Sequence, residues 1–394
     1  MDSSPLDFYS PNYASARKAF KREVKGFRHS GLNLISSQYL LPVRGPQHEL
    51  LAIDFLKVSI DNDYSRALIV TSGINGLELF YGSAVQCKLL RCLSTRQVTL
   101  PSDLAVYIVH AINPFGASWL RRANINNVDL DSNFIANFDQ VLQNENSYHS
   151  EAVFKQFPTL FNPKAKRRWV DMPRLDIALL ILKYGLSKAR AVITSGQRYQ
   201  REFLFFGGKQ PEPEVLAMVK HMQKDLFPIG HTVRKVVHWD LRTGYGSFGR
   251  LNFSTSNTLI TSLLKPVVKA SWLHHKRRNQ GSMLEGLPTL LKGVQLVKWD
   301  KLELTIGTEQ WINLVIALRA ENEFHFSNLW IEFLYNHESP DDHPKIDYYI
   351  QHSTKANLKS VYFPDDKPWK AVGLKAAKPA LLALIKYLSQ TPKL

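Results

Sequence analysis

The stretch Thr71-Ser72-Gly73-Ile74-Asn75-Gly76-Leu77-Glu78 carries a carboxylate three residues after a carboxamide, where a β-rich run passes through two glycines into a helical one. In such a turn, two side chains three apart can face one ion. A histidine and a glutamate at that spacing would supply two of the three protein ligands of a hydrolytic zinc. Here the first position is Asn75, so Glu78 stands without a histidine. Taken alone, Asn75-Gly76 is an ordinary turn pair and Glu78 an acid near a helix start, where it favours the dipole. A second set is His238, Asp240 and Arg242, which alternate on one face of an extended run, with His274-His275 further along. Structural or surface roles account for these better than a relocated zinc. Cys87 and Cys92, five apart, fit neither a CxxC metal pair nor a disulfide framework and read as buried or free thiols.

The elements that must position these groups follow from periodicity. Strands are expected at 67–71, 105–109, 232–239 and 302–306, and helices at 49–58, 77–90, 175–186, 215–226, 311–320 and 379–388. Their alternation predicts an α/β sandwich in which a mixed, mostly parallel sheet is covered by helices on both faces. Function in such sheets sits in loops after the carboxyl ends of strands, which is where the unusual segments fall.

With 394 residues, 44% hydrophobic and 21% charged, the chain has the composition of an ordinary globular protein. Polar or Pro-rich loops at 144–150, 210–214 and 337–343 are too short to separate domains, so a single domain over 1–394 is expected, with its N- and C-terminal helical elements on the same core. No apolar run approaches the roughly 20 residues that span a bilayer. The first residues lack the basic and apolar parts of a signal peptide, so a cytoplasmic location and no membrane association are expected. A net charge of +16 attracts polyanions, and Lys164-Ala165-Lys166-Arg167-Arg168 and His274-His275-Lys276-Arg277-Arg278 are short basic clusters. No helix-turn-helix, zinc-finger, RRM or KH pattern accompanies them. Nucleic-acid binding is therefore disfavoured.

Four blocks in order carry a resemblance. Ser72 to Leu79 is followed by Gly82-Ser83-Ala84-Val85-Gln86; His110 to Arg122 leads into Asn127-Val128-Asp129-Leu130-Asp131-Ser132-Asn133-Phe134; Trp239 to Gly249 forms the third; Leu304-Thr305-Ile306-Gly307-Thr308 precedes Ala317 to Asn322. Together they resemble an uncharacterised bacterial branch of the zinc carboxypeptidase superfamily, close to the aspartoacylase-like deacylases. Lesser matches at Thr194 to Tyr199, Phe206 to Gly208, Tyr362 to Trp369 and Tyr13 to Arg17 extend the similarity over nearly the whole chain. The resemblance implies a carboxypeptidase-like three-layer sandwich.

It also implies roles, most of which this chain has lost. The metal-ligand positions are Asn75, Glu78 and Arg242, and only Glu78 could ligate, because a guanidinium has no lone pair to offer. The carboxylate-gripping Asn-Arg pair is Asp131-Ser132, beside Asn133, and the general-base position is Thr305, with Glu303 two residues before it. Arg121 or Arg122 could still make an oxyanion contact. A paired, metal-free site between Arg242 and Glu78 is expected. No cofactor is then expected, and the chain reads as a pseudoenzyme that binds a small molecule, peptide or protein through Glu78, Asp131, Ser132, Asn133 and Arg242. The alternatives are a zinc-dependent metallopeptidase or amidohydrolase (deacylase) with an unusual ligand set, and a basic nucleic-acid-binding protein.

Overall fold

Among the described residues, runs of aliphatic and β-branched residues give eight strands: β1 Asn33–Arg44, β2 Leu50–Ser59, β3 Arg66–Ser72, β4 Leu104–His110, β5 Lys235–Tyr245, β6 Leu251–Thr255, β7 Ser271–His274 and β8 Lys298–Glu309. The computed structural model describes residues 5–143, 153–161, 172–268, 271–274, 281–337 and 339–390. All eight strands join one sheet in the order β1-β2-β4-β3-β5-β8-β6-β7. The pairs β3/β4, β3/β5, β5/β8 and β6/β7 are parallel, and β1/β2, β2/β4 and β6/β8 antiparallel. The mixed, mostly parallel α/β sheet is therefore the one expected.

Helices that matter to the site and the core are α1 Tyr13–Lys25, α2 Leu79–Ser94, α3 Pro173–Tyr184, α4 Pro213–Asp225, α5 Thr258–Val268, α6 Met283–Leu290, α7 Trp311–His325, α8 Thr354–Tyr362 and α9 Lys367–Gln390. Because successive side chains of a strand point to opposite faces, each central strand feeds two cores. Leu68, Val70, Val106, Ile108, Val237, Trp239 and Leu241 share one apolar cluster with Leu89 of α2 and Leu384 of α9. Ile69, Tyr107, Val109 and Val236 share the other with Met218 and Met222 of α4 and Leu287 of α6. The sheet is thus covered on both faces. α1 and α9 both pack against α2, which ties the two ends of the chain to the same core.

Several expected elements differ from the structure for identifiable reasons. Residues 49–58, read as a helix, form β2: Leu51 to Leu56 is an unbroken buried run, and such a run carries neither period. β1 is mostly exposed and alternates weakly, so nothing local marked it as a strand. Strand β5 starts three residues later than expected and extends through Asp240, Arg242 and Thr243 to Tyr245. α9 begins twelve residues before the expected helix, so Pro379 lies inside it instead of at its start. Among the described residues, no helix is long and apolar enough to cross a membrane. The basic cluster 164–168, residues 275–278 of the other one, and the 144–150 loop lie outside the described residues.

Candidate functional site

At the end of β3 the chain turns through Gly73 and Gly76, both with positive φ (74° and 61°). A side chain at Gly76 would run into the carbonyl of Arg121, so the turn needs glycine there. The turn is pinned by Ile112 N–H to Ser72 O (3.1 Å) and Asn113 N–H to Gly73 O (3.0 Å), and α2 follows at once. This geometry buries both Asn75 and Glu78. The Asn75 amide donates to Glu78 Oε1 at 3.0 Å, whereas Asn75 Oδ1 and Glu78 Oε2 have no hydrogen-bond partner among the described residues. Burial pushes the Glu78 carboxyl up to about 7; the Arg242 and Arg122 charges and the Asn75 hydrogen bond pull the other way, and Asp240 adds to the rise.

The neighbouring strand ends carry a polar ladder. His238, Asp240 and Arg242 continue the face on which Val236 meets the α4 and α6 side of the core. In register beside them on β8 stand Glu303 next to Asp240 and Thr305 next to Arg242. Thr71 Oγ1 lies 3.0 Å from His238 Nε2 and donates to Asp240 Oδ1 at 2.7 Å. Arg242 then donates from Nε to Asp240 Oδ2 (2.5 Å) and from Nη1 to Asp131 Oδ2 (2.7 Å), with Glu303 Oε2 at 3.7 Å. Asp131 Oδ1 accepts from the Met283 N–H at 3.1 Å, and Thr305 donates to Glu303 Oε1 at 2.9 Å.

Electrostatics follow from that packing. Burial opposes the charge on Arg242, but Asp131, Asp240 and Glu78 outweigh it and hold the guanidinium more firmly protonated than usual. Asp240 is raised by burial, with Arg242 partly restoring its charge. Burial, then Arg242 and Lys301, hold His238 down to about 3, so its imidazole is neutral.

The loop before Asn133 divides the remaining residues. Arg121 turns away: Nε donates to Glu321 Oε1 (2.9 Å) and Nη2 to Asn127 Oδ1 (2.8 Å), in a buried network that Lys355 of α8 completes with a 2.5 Å contact to Glu321. Its guanidinium is spent on Glu321, Asn127 and Asn322, away from Glu78, so the expected oxyanion role does not fit it. Arg122 stays at the site. It pairs with Asp129 (3.0 Å from Nε, 2.9 Å from Nη2), reaches the Tyr362 hydroxyl at 3.4 Å, and is held charged, against the cost of burial, by Asp129, Tyr362 and Glu78.

Asn133 is a tie, not a ligand group: its amide donates to Gly207 O (2.9 Å) and Gln210 O (3.0 Å), and its carbonyl accepts from Glu212 N–H (2.8 Å). Ser132 closes the short turn Leu130–Ser132 and offers its carbonyl to Arg198.

The structure therefore brings together Asn75, Glu78, Arg122, Asp131, Arg242 and Thr305. The direct Arg242–Glu78 pair is not formed: Arg242 spends its bonds on Asp131 and Asp240, and Glu78 meets it only as a nearby charge. Asp129 and Tyr362 join the site as partners of Arg122, and Thr71 as the link between His238 and Asp240. Alternation along β5 pointed to Asp240. Tyr362, 240 residues from Arg122, was legible only as the start of the lesser match Tyr362 to Trp369 and not as a partner of Arg122.

A zinc ion fits these residues poorly. Of the three positions that the resemblance implies for metal ligands, Asn75 turns an N–H toward Glu78 and Arg242 brings a fixed cation. Among the described residues, no group of three or more His, Cys, Asp or Glu is placed to hold a metal ion.

The architecture defines an α/β protein with a polar site at the carboxyl ends of parallel strands β3, β5 and β8. The chain belongs to the family described as protein of unknown function DUF2817, which matches residues 9–376. No curated protein matches it. Among solved structures it is similar to bovine thrombin-activatable fibrinolysis inhibitor in complex with tick carboxypeptidase inhibitor (11% identity, TM-score 0.43, 95% of this chain and 97% of that one). It is also similar to a metallo-carboxypeptidase from Burkholderia cenocepacia (11%, 0.38, 94% and 68%) and to the succinylglutamate desuccinylase from Chromobacterium violaceum (12%, 0.37, 82% and 75%).

Proposed function

We propose that this protein is a metal-free, non-hydrolytic relative of the metallo-carboxypeptidases, a pseudoenzyme whose remodelled site binds a small molecule, peptide or protein. The observation that carries the reading is Arg242, buried at a ligand-equivalent position and clamped by Asp131 and Asp240. A guanidinium supplies positive charge but no Lewis acidity, so it cannot turn a bound water into a nucleophile. The base position agrees: the Thr305 hydroxyl is spent as a donor to Glu303 and has no capacity to take a proton at neutral pH.

The charge balance says what such a pocket prefers. Glu78, Asp129, Asp131, Asp240 and Glu303 surround Arg122 and Arg242, and both arginines already have acid partners. A ligand carboxylate would meet more acid than free cation there, so a hydrogen-bond donor or cationic group is favoured over the anionic end that an Asn-Arg pair would grip. The buried, free thiols of Cys87 and Cys92 suit a reducing, cytoplasmic setting.

The test is metal content by elemental analysis of protein purified without chelator or immobilised nickel, with zinc restored to a second sample. Metal far below one equivalent, with no shift in unfolding on adding zinc, is expected. A ligand binding only the folded state stabilises it by roughly 2.7 kcal/mol at a hundredfold excess over Kd. Stoichiometric zinc, such a shift, or amide hydrolysis lost on chelation would overturn the proposal.

A further inference from the structure

A hollow of about 530 Å³ lies in the seam between α5 and α9, on elements that take no part in the site described above. Its cause is visible in the sequence of both helices. Pro266 sits inside α5 and Pro379 inside α9, and both line the hollow. A proline within a helix removes the bond to the carbonyl four residues back and pushes that turn away. With Ala383 as the residue beneath, the seam lacks the side-chain volume that normally closes a helix–helix contact. Leu263 and Leu382 complete an apolar lining, and Leu382 is 45% exposed.

The rim is one-signed. Lys378, Leu382 and Lys386 follow one another at four-residue spacing, so a single stripe of α9 presents a leucine between two ammonium groups. Neither lysine has an acidic partner among the described residues; Lys378 reaches only the Gln97 carboxamide, at 3.4 Å. Across the whole of α5 and α9 there are lysines but no aspartate or glutamate. An apolar floor of this volume under an uncompensated cationic rim matches the general form of a small-ligand cleft, with few polar groups that fix orientation.

We propose that the α5–α9 groove binds a single-chain aliphatic carboxylate, a free fatty acid. Its hydrocarbon lies on Leu263, Pro266, Pro379, Leu382 and Ala383, and its headgroup between Lys378 and Lys386. The lysine stems add apolar contact while their charged ends stay in water beside the headgroup.

The experiment is calorimetric titration of the full chain with octanoate, decanoate and dodecanoate below their micelle concentrations, with decylammonium as the charge-reversed probe. Hydrogen exchange with and without decanoate gives the location. Each buried methylene should tighten binding up to about fourfold, decylammonium should not bind, and protection should rise in 258–268 and 375–390. Leu382→Glu puts an acid at i+4 and i−4 from the two lysines, a change that supports the helix while filling the rim with the wrong charge. Its decanoate affinity should fall at least tenfold with no loss of unfolding midpoint.

Equal binding of decylammonium, unchanged affinity in Leu382→Glu, or protection elsewhere would overturn the proposal. So would binding to phosphatidylglycerol vesicles without binding to free decanoate, or a dimer in sedimentation that buries this face of α9.

Discussion

Replacing Arg242 by alanine is the sharpest perturbation of the site. The substitution removes a 2.5 Å bond to Asp240 and a 2.7 Å bond to Asp131, and takes the only guanidinium within 4 Å of Glu303 among the described residues. The side chains of Arg242 and Asp240 are 7% and 0% exposed and that of Asp131 12%, so water replaces little of what is lost. Breaking a buried pair by deleting one partner costs about 3–5 kcal/mol, because the remaining charge is stranded. Asp240 keeps its Thr71 bond and Asp131 the Met283 amide, but both lose their cation, so a loss within that range is expected. The assay is urea unfolding followed by tryptophan fluorescence and circular dichroism, with wild type and variant side by side.

A second readout separates this cause from simple loss of packing. Protonation relieves a stranded carboxylate, so the gap between the two proteins should narrow from pH 8 to pH 5. Asp240→Asn in the Arg242→Ala background should recover part of the loss, because it removes one of the orphaned charges. Coincident unfolding curves for wild type and Arg242→Ala, or a gap independent of pH with no rescue by Asp240→Asn, would refute the reasoning.

Other outcomes follow from the same geometry. The carboxyls of Glu78 and Glu214 are each raised from 4.5 to about 7 by burial. Between those values the folded chain holds protons that the unfolded chain has released, so stability is greatest at the acid end and falls as pH rises through 7. Glu78→Gln should remove up to about 1.4 kcal/mol per pH unit of that slope, and an unaltered pH profile of the unfolding midpoint would exclude Glu78 as its source. Asn133→Ala should cost about 1–3 kcal/mol, since Gly207, Gln210 and Glu212 lose a buried partner; faster hydrogen exchange confined to 207–212 would identify the tie. Gly76→Ala should cost a similar amount from left-handed backbone strain alone, plus the clash with the Arg121 carbonyl, and a stable Gly76→Ala protein would show that the turn can relax.

β3 and β4, though buried on both faces, were legible as short runs rich in β-branched residues, and α2, α4 and α7 as helices from their spacing. β2 was not, because its buried run Leu51 to Leu56 has a single β-branched residue and no alternation, and the polar end of β5 hid the stretch that carries Asp240 and Arg242. Site residues were legible as positions but not as partners. Arg121 and Arg122 are adjacent in sequence and equal in chemistry, yet opposite sides of the same backbone send one to Glu321 on α7 and the other to Asp129. Only the packing of α7 and α8 decides which of them is spent on structure. The expected Arg242–Glu78 pair failed for a related reason. Two carboxylates already stood nearer, one of them on the next residue of the same strand face.

Arg242 and Asp131, 111 residues apart in sequence, meet at 2.7 Å, and Asp240 and the Met283 amide complete the coordination of the pair. An unpaired buried charge costs several kcal/mol, so each of these charges depends on the other. Glu78 Oε2 is one of several buried polar atoms of the cluster, with Asn75 Oδ1, Asp129 Oδ1, His238 Nδ1 and Arg242 Nη2, that have no hydrogen-bond partner among the described residues. A carboxyl buried in that state works against stability near neutral pH. Under the binding function proposed above, the Asn75–Glu78 turn offers two acceptor oxygens, Asn75 Oδ1 and Glu78 Oε2, to a ligand's N–H or ammonium group.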